Sequence, residues 1–97
     1  MELRFKPQFK RDYLKIKNRK VKTLLAAHLR HLLSQKTVPL AIGTGQLSKL
    51  EKYETRYKIR ITIDKKDDYR VGVVVKKNVI WAERILRRPS FYQHYKR

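Results

Sequence analysis

Between Tyr57 and Ile63 the chain reads Tyr-Lys-Ile-Arg-Ile-Thr-Ile, an alternation of apolar with polar residues. A period of two fits a β-strand, because successive side chains of a strand point to opposite faces of the sheet. Tyr57, Ile59, Ile61 and Ile63 therefore share an apolar face, and Lys58 and Arg60 share a basic one. A chain with this segment needs a sheet that packs a core on one side and gathers cations on the other.

The cations extend well beyond this strand. The sequence holds 26 Lys+Arg against 8 Asp+Glu, a formal net charge of +18 in 97 residues. Such a surface repels itself and attracts polyanions, nucleic acid first and an anionic membrane surface second. Hydrophobic residues make up 41% of the chain, enough for a core and too many for a disordered basic tail. The length fits one domain, spanning 1–97. There is no cysteine, which removes disulfides, thiolate nucleophiles and zinc–cysteine sites. Met1-Glu2-Leu3-Arg4-Phe5-Lys6 has no apolar signal core, and no run approaches membrane-spanning length. The expectation is a cytoplasmic protein that does not engage membranes.

Leu3 and Phe5 alternate with charged residues and predict a short first strand. Pro7 suits a first helical turn, and Phe9, Tyr13 and Ile16 predict a basic amphipathic helix over about 7–18. Val21, Leu24, Leu25, Leu29, Leu32 and Leu33 make one apolar stripe, a second helix from Val21 to Gln35. The two should pair closely. Residues 36–56, with Pro39, Gly43 and Gly45, read as a loop whose second half is pinned by Leu47 and Leu50. Strands follow over Tyr57–Ile63, Tyr69–Lys76 and Val79–Leu86, the last two joined at Lys77-Asn78, where Asn tolerates a positive φ. The segment from Arg87 to Arg97 reads as a tail. This β-α-α-β-β-β order predicts an α+β fold: two N-terminal helices on one face of a mainly antiparallel four-stranded sheet, the other face free for a ligand.

The stretch "YKIRITIDKKDDYRVGVVVKKNVIWAERILRRPSFYQHY" resembles the RelE/ParE toxin superfamily, most closely the RelE-type mRNA endonucleases. "YKIRI" is similar to the family's basic strand, "YRVGVVV" to its arginine-bearing strand, and "RRPSFY" to its closing motif. The front half, "FKPQFKRDYLKI" and the leucine-rich helix, fits the same order. The resemblance implies a ribosome-dependent mRNA endonuclease, the toxin of a toxin–antitoxin pair. Its implied partners are mRNA on the ribosome with rRNA contacts, a cognate acidic antitoxin and, through the antitoxin, operator DNA. Position by position it implies that Lys58, Arg60, Arg70, Arg88 and Tyr92 form the catalytic set. Arg87, His94, Tyr95, Lys96 and Arg97 become candidates for RNA contact. Two features depart from the family: Pro89 directly follows Arg88, and Arg87 stands where histidine is common. Tyr95 lies close enough in sequence to compete with Tyr92.

The chemistry of this set is self-consistent. RNA carries its own nucleophile, the 2′-hydroxyl, so cleavage needs neither a metal nor another cofactor. It needs alignment, removal of one proton and stabilisation of a doubly charged phosphorane. Arginine forks suit the phosphorane oxygens. A lysine or tyrosine crowded by cations loses its proton more readily, which leaves Lys58, Tyr92 and His94 as candidate bases. Asp64, Asp67 and Asp68 fall in or beside one turn and do not make a two-metal carboxylate set.

Simpler readings exist for each residue. Lys58 and Arg60 describe equally a solvated strand face, and Tyr92 a stacking aromatic. His28 and His31 read as surface residues, Trp81 as core, and Gly43-Thr44-Gly45 as a turn too short for a phosphate loop. Arg87, Arg88, Lys96 and Arg97 could serve only to steer RNA. At the level of the whole protein the alternatives are a non-catalytic RNA- or ribosome-binding module and a ParE-like gyrase inhibitor. The second needs no cationic pocket.

Overall fold

The structure is a computed structural model and describes residues 2–35, 47–50 and 56–95. Of the loop expected over 36–56, Pro39, Gly43 and Gly45 lie outside the described residues, as do Lys96 and Arg97 of the tail.

The chain begins with strand β1 (Glu2–Phe5), followed by helices α1 (Pro7–Leu14) and α2 (Arg19–Ser34). Then come a two-residue strand β2 (Ser48–Lys49), the long strands β3 (Arg56–Thr62), β4 (Asp68–Lys76) and β5 (Val79–Arg87), and a closing helix α3 (Arg88–His94). The strands form one sheet in the order β1-β5-β4-β3-β2. β1 runs parallel to β5, and the other pairs are antiparallel. The expected α+β layering is present. Two elements were not expected: the short edge strand β2 and the helix α3.

Helix α1 stops sooner than its apolar spacing suggests. Asn18 takes the N-cap of α2, where its side chain accepts the Lys20 backbone N–H at 2.8 Å. Its amide also donates to Asp67 at 2.8 Å, which ties the start of α2 to the β3–β4 turn. The chain between α1 and α2 is therefore fixed rather than helical, although Ile16 still reaches the core. At the β4–β5 hairpin the positive φ falls on Lys77 (55°), not on Asn78.

The apolar face of the sheet packs against α1 and α2. Ile59, Ile61, Val71, Val73, Ile80, Ala82 and Ile85 meet Phe9, Val21, Leu25 and Leu32 in one cluster. Leu47 joins that cluster, and Leu50 joins a smaller one with Phe91 and Tyr95 on the other face of the sheet. Both leucines are buried, as expected. Trp81 does not belong to either cluster. Its neighbours Ile80 and Ala82 point inward, so strand alternation turns Trp81 outward, under Lys6 at 4.8 Å and Arg4 at 5.6 Å from its ring.

Asp12 on α1 is buried, and its carboxylate accepts from Arg84 Nε at 2.7 Å, Arg84 Nη2 at 3.1 Å and the Ile85 backbone N–H at 3.1 Å. These bonds fasten α1 to β5 where the register slips. Arg84 pairs with Gly72 and Ala82 with Val73, so Glu83 is the extra residue of a β-bulge. Among the described residues no helix is long and apolar enough to cross a membrane.

Candidate functional site

The register of β3 on β4 decides which cations meet. Lys58 pairs with Gly72 and Arg60 with Arg70, and paired residues share a face. Ile59, Ile61, Val71 and Val73 occupy the opposite face, under the helices. Lys58, Arg60 and Arg70 therefore stand together on the face away from α1 and α2.

That face is not bare. Helix α3 lies on it, with Phe91 and Tyr95 one turn apart and both buried. Pro89 in its first turn pre-sets the helical φ. Tyr95 takes the space above Gly72, where a Cβ would stand 2.3 to 2.5 Å from its ring. Its ring stacks on Phe91 at 4.9 Å, and its hydroxyl donates to Glu83 at 2.8 Å. Burial, and then the Glu83 carboxylate, push this phenol far above its ordinary pKa. Tyr95 is thus a seat for the helix. It is too buried to contact RNA or to compete with Tyr92, which corrects both expectations.

One position along α3 from Phe91, Tyr92 turns toward β3. Its hydroxyl accepts from Lys58 Nζ at 2.9 Å, and the Arg88 guanidinium lies 5.9 Å from its ring centroid. Burial acts to raise the phenol's pKa. Hydrogen bonds from Lys58 and Arg70, with the charges of both, outweigh that effect and hold it below its ordinary value of 10.0. An ammonium and a guanidinium around one phenol favour the phenolate.

Arg70 is 6% exposed. Its Nη1 donates to Asp68 Oδ1, to the Tyr69 carbonyl at 3.0 Å and to Thr62 Oγ1 at 3.4 Å. Its Nε is buried and has no hydrogen-bond partner among the described residues. A buried donor left unmade costs about 1–3 kcal/mol. Burial opposes ionisation of Asp68, yet bonds from the Thr62 hydroxyl and Arg70, with the charges of Arg70 and Arg88, hold its carboxyl below the usual range.

The structure thus brings Lys58, Arg70, Arg88 and Tyr92 together. Arg60 is exposed on the same face, across the ladder from Arg70. His94 is exposed and lines a different cleft with Arg11 and Arg84. Arg87 leans to the other side, donating to the Lys66 carbonyl at 2.9 Å with its guanidinium 5.5 Å from the Tyr69 ring. Sequence reading missed Asp68, the anion that orients Arg70. The signal was present, since residues two apart on a strand share a face. Among the described residues no group of three or more His, Cys, Asp or Glu could hold a metal.

A second surface stands out on the helical side. Phe5, Phe9, Tyr13, Leu14, Leu25 and Leu29 line an apolar groove of about 500 Å³ between α1 and α2, edged by Lys10 and Lys22. Leu14 is 76% exposed there.

The fold is a RelE-like α+β fold. A chain of the RelB-RelE antitoxin–toxin complex from Methanococcus jannaschii matches it with a TM-score of 0.70, over 94% of this chain and 96% of that one, at 19% identity. At that identity the likeness speaks for the fold alone. No family model matches the sequence, and no curated protein matches it.

Proposed function

We propose that this protein is a metal-independent endoribonuclease, the toxin of a toxin–antitoxin pair, which cuts mRNA on the ribosome. The observation that carries the reading is the Tyr92 phenol held by Lys58 at 2.9 Å beside Arg70. Arg88 stands over the same ring. A cation-flanked tyrosine gives up its own proton more readily than a free one, so the Tyr92 phenolate is available as the general base, and His94, in its separate cleft, is not. The 2′-oxygen attacks the adjacent phosphorus as its proton passes to Tyr92. Arg70 and Arg88 hold the phosphorane oxygens. The 5′-oxygen departs and takes a proton from water while Tyr92 returns its own to solvent, leaving a 2′,3′-cyclic phosphate and a 5′-hydroxyl. Arg60, exposed on the same face, binds a neighbouring phosphate.

Ribosome dependence and the antitoxin rest on the family resemblance and on the fold shared with a chain of an antitoxin–toxin complex. The groove between α1 and α2 supports a protein partner, since its apolar lining and lysine edge suit an amphipathic segment with acidic flanks. A second copy of a chain carrying +18 does not suit it.

Inducing the protein in cells and mapping mRNA ends tests the reading. New 5′-hydroxyl ends inside coding regions, lost in Arg70→Ala, are expected. Free expression without growth arrest or new ends would leave a non-catalytic RNA-binding protein in its place.

A further inference from the structure

Helix α3 has two different sides. Tyr92 faces Lys58, while His94, two residues on and so across the helix, borders a separate cleft of about 430 Å³. Lys6, Arg11, Arg56 and Arg84 line it with His94, against one carboxylate, Glu83. Several of these are held in place by contacts. Arg84 is fixed by Asp12 at 2.7 Å, Arg56 lies 5.3 Å from the Tyr95 ring, and Lys6 lies 4.8 Å from the Trp81 ring. Glu83 is engaged by the Tyr95 hydroxyl at 2.8 Å. Four permanent cations therefore converge on a polar recess that the proposed cleavage chemistry does not use.

Resting on the endoribonuclease reading, we infer that this cleft is a second phosphate site, which holds the backbone of the same RNA strand on the far side of α3 from the cut. The guanidinium groups of Arg11 and Arg56, the edge of Arg84 that Asp12 does not occupy, and the Lys6 ammonium suit the oxygens of a hydrated backbone. A protein segment would need apolar anchors, and those are offered by the groove between α1 and α2 instead. Single-stranded RNA gripped on both sides of α3 would be drawn taut across Tyr92, and a fixed strand is what an in-line attack requires.

The test is binding of a labelled, fully 2′-O-methylated RNA oligonucleotide, which cannot be cut, over a series of salt concentrations. Each phosphate contact on a single strand adds about 0.7 to the slope of log affinity against log salt. The double variant Lys6→Ala, Arg11→Ala should lower that slope by about 1.4. Arg19→Ala with Lys20→Ala, an equal charge loss on exposed residues of α2, should leave it as in the unaltered protein. Equal slopes in all three proteins overturn the site, as does an equal fall in both variants or no binding by the unaltered protein at low salt. An unchanged RNA slope with weakened capture of a poly-glutamate peptide would assign the cleft to a protein and also overturn it. The endoribonuclease reading is judged separately, by mRNA cleavage in Arg70→Ala. Cleavage that depends on Arg70 with a slope indifferent to Lys6 and Arg11 removes the second site alone. A slope that falls as expected without any cleavage removes the nuclease and keeps the site.

Discussion

Lys58 Nζ lies 2.9 Å from the Tyr92 hydroxyl, joining two residues 34 positions apart, one from the middle of β3 and one from α3. Neither element sets this distance alone. The β3–β4 register places Lys58 opposite Gly72, and the bare Gly72 admits Tyr95, which seats the helix that carries Tyr92. The cation and the phenol meet because a glycine lies between them and the core.

The phenol of Tyr92, one of six tyrosines in the chain, should ionise well before that of Tyr95. Its folded value lies below the ordinary 10.0, so the phenolate appears at lower pH in the folded protein. Any stability this confers is complete above the unfolded value and is lost as pH falls through the folded one. Ultraviolet titration checks it. Tyr92→Phe should delete a component that titrates below 10.0, and Lys58→Met should move that component upward, since burial then acts with less opposition. A titration curve that Tyr92→Phe leaves unchanged below 10.0 would refute the assignment. The acidic limb of the cleavage rate, where protonation removes the base, should follow the same shift.

Arg70→Ala should lower cleavage by about 10²–10³-fold while the fold persists, the usual effect of losing one preorganised donor to a developing oxyanion. Arg70→Lys should not restore the rate, because one Nη1 serves Asp68, Thr62 and the Tyr69 carbonyl while another part of the fork is left for substrate. The Asp68 carboxyl is depressed, so its ion pair contributes stability above the unfolded value of 3.8 and loses it as pH falls through the folded value. Asp68→Asn should flatten that acid limb in urea unfolding. An unaltered limb would mean that the pair contributes nothing.

Much of this was legible in the chain. The period-two segment at Tyr57–Ile63 and the leucine stripe at Val21–Leu33 identify a strand and a helix because each pattern fits only one element. The shared face of Lys58, Arg60 and Arg70 follows from alternation plus a register that the β3–β4 connection fixes. Helix α3 was missed because seven residues hold too little periodicity to read alone. Pro89, and Phe91 four residues before Tyr95, were its only local signals. The partners of charge were also hidden. Asp12 meets Arg84, 72 residues away, and nothing in either neighbourhood marks the other. The bulge at Glu83 and the outward turn of Trp81 depend on pairing between strands, which composition does not record.

Asp12→Ala should destabilise the protein by about 1–3 kcal/mol, because it strands the Ile85 N–H and leaves Arg84 without its anion. The lower part of that range is expected, since the Arg84 side chain is 30% exposed and water can solvate it. Denaturant melts measure the change. A neutral substitution would mean that α1 is held to β5 by its apolar contacts alone.

Ala26→Arg should block the groove between α1 and α2 without touching the face that carries Lys58 and Tyr92. Co-expressed with the product of the adjoining gene, the variant should bind that partner about tenfold more weakly or worse, the cost of a central hot spot lost from an interface. mRNA cleavage by the free protein should persist. Unweakened capture would move the partner's apolar contact elsewhere on the surface.

Gly72→Ala separates the seat of α3 from the rest of the fold. The new methyl would stand within 2.3 to 2.5 Å of the Tyr95 ring, far inside contact distance. The ring has little room to yield, since Phe91 stacks on it and Glu83 accepts its hydroxyl proton. The least costly response is for Tyr95 to leave and α3 to lift from the sheet. The main cluster under α1 and α2 lies on the other face and should keep its packing. Overpacking of this kind typically costs about 1–3 kcal/mol. Amide exchange should therefore quicken in residues 88–95 and stay slow in β4 and β5. Cleavage should fall with it, because Tyr92 leaves Lys58 when the helix moves. Rapid exchange in α3 with full cleavage would show that Tyr92 is dispensable, and Lys58 would then be the base to examine.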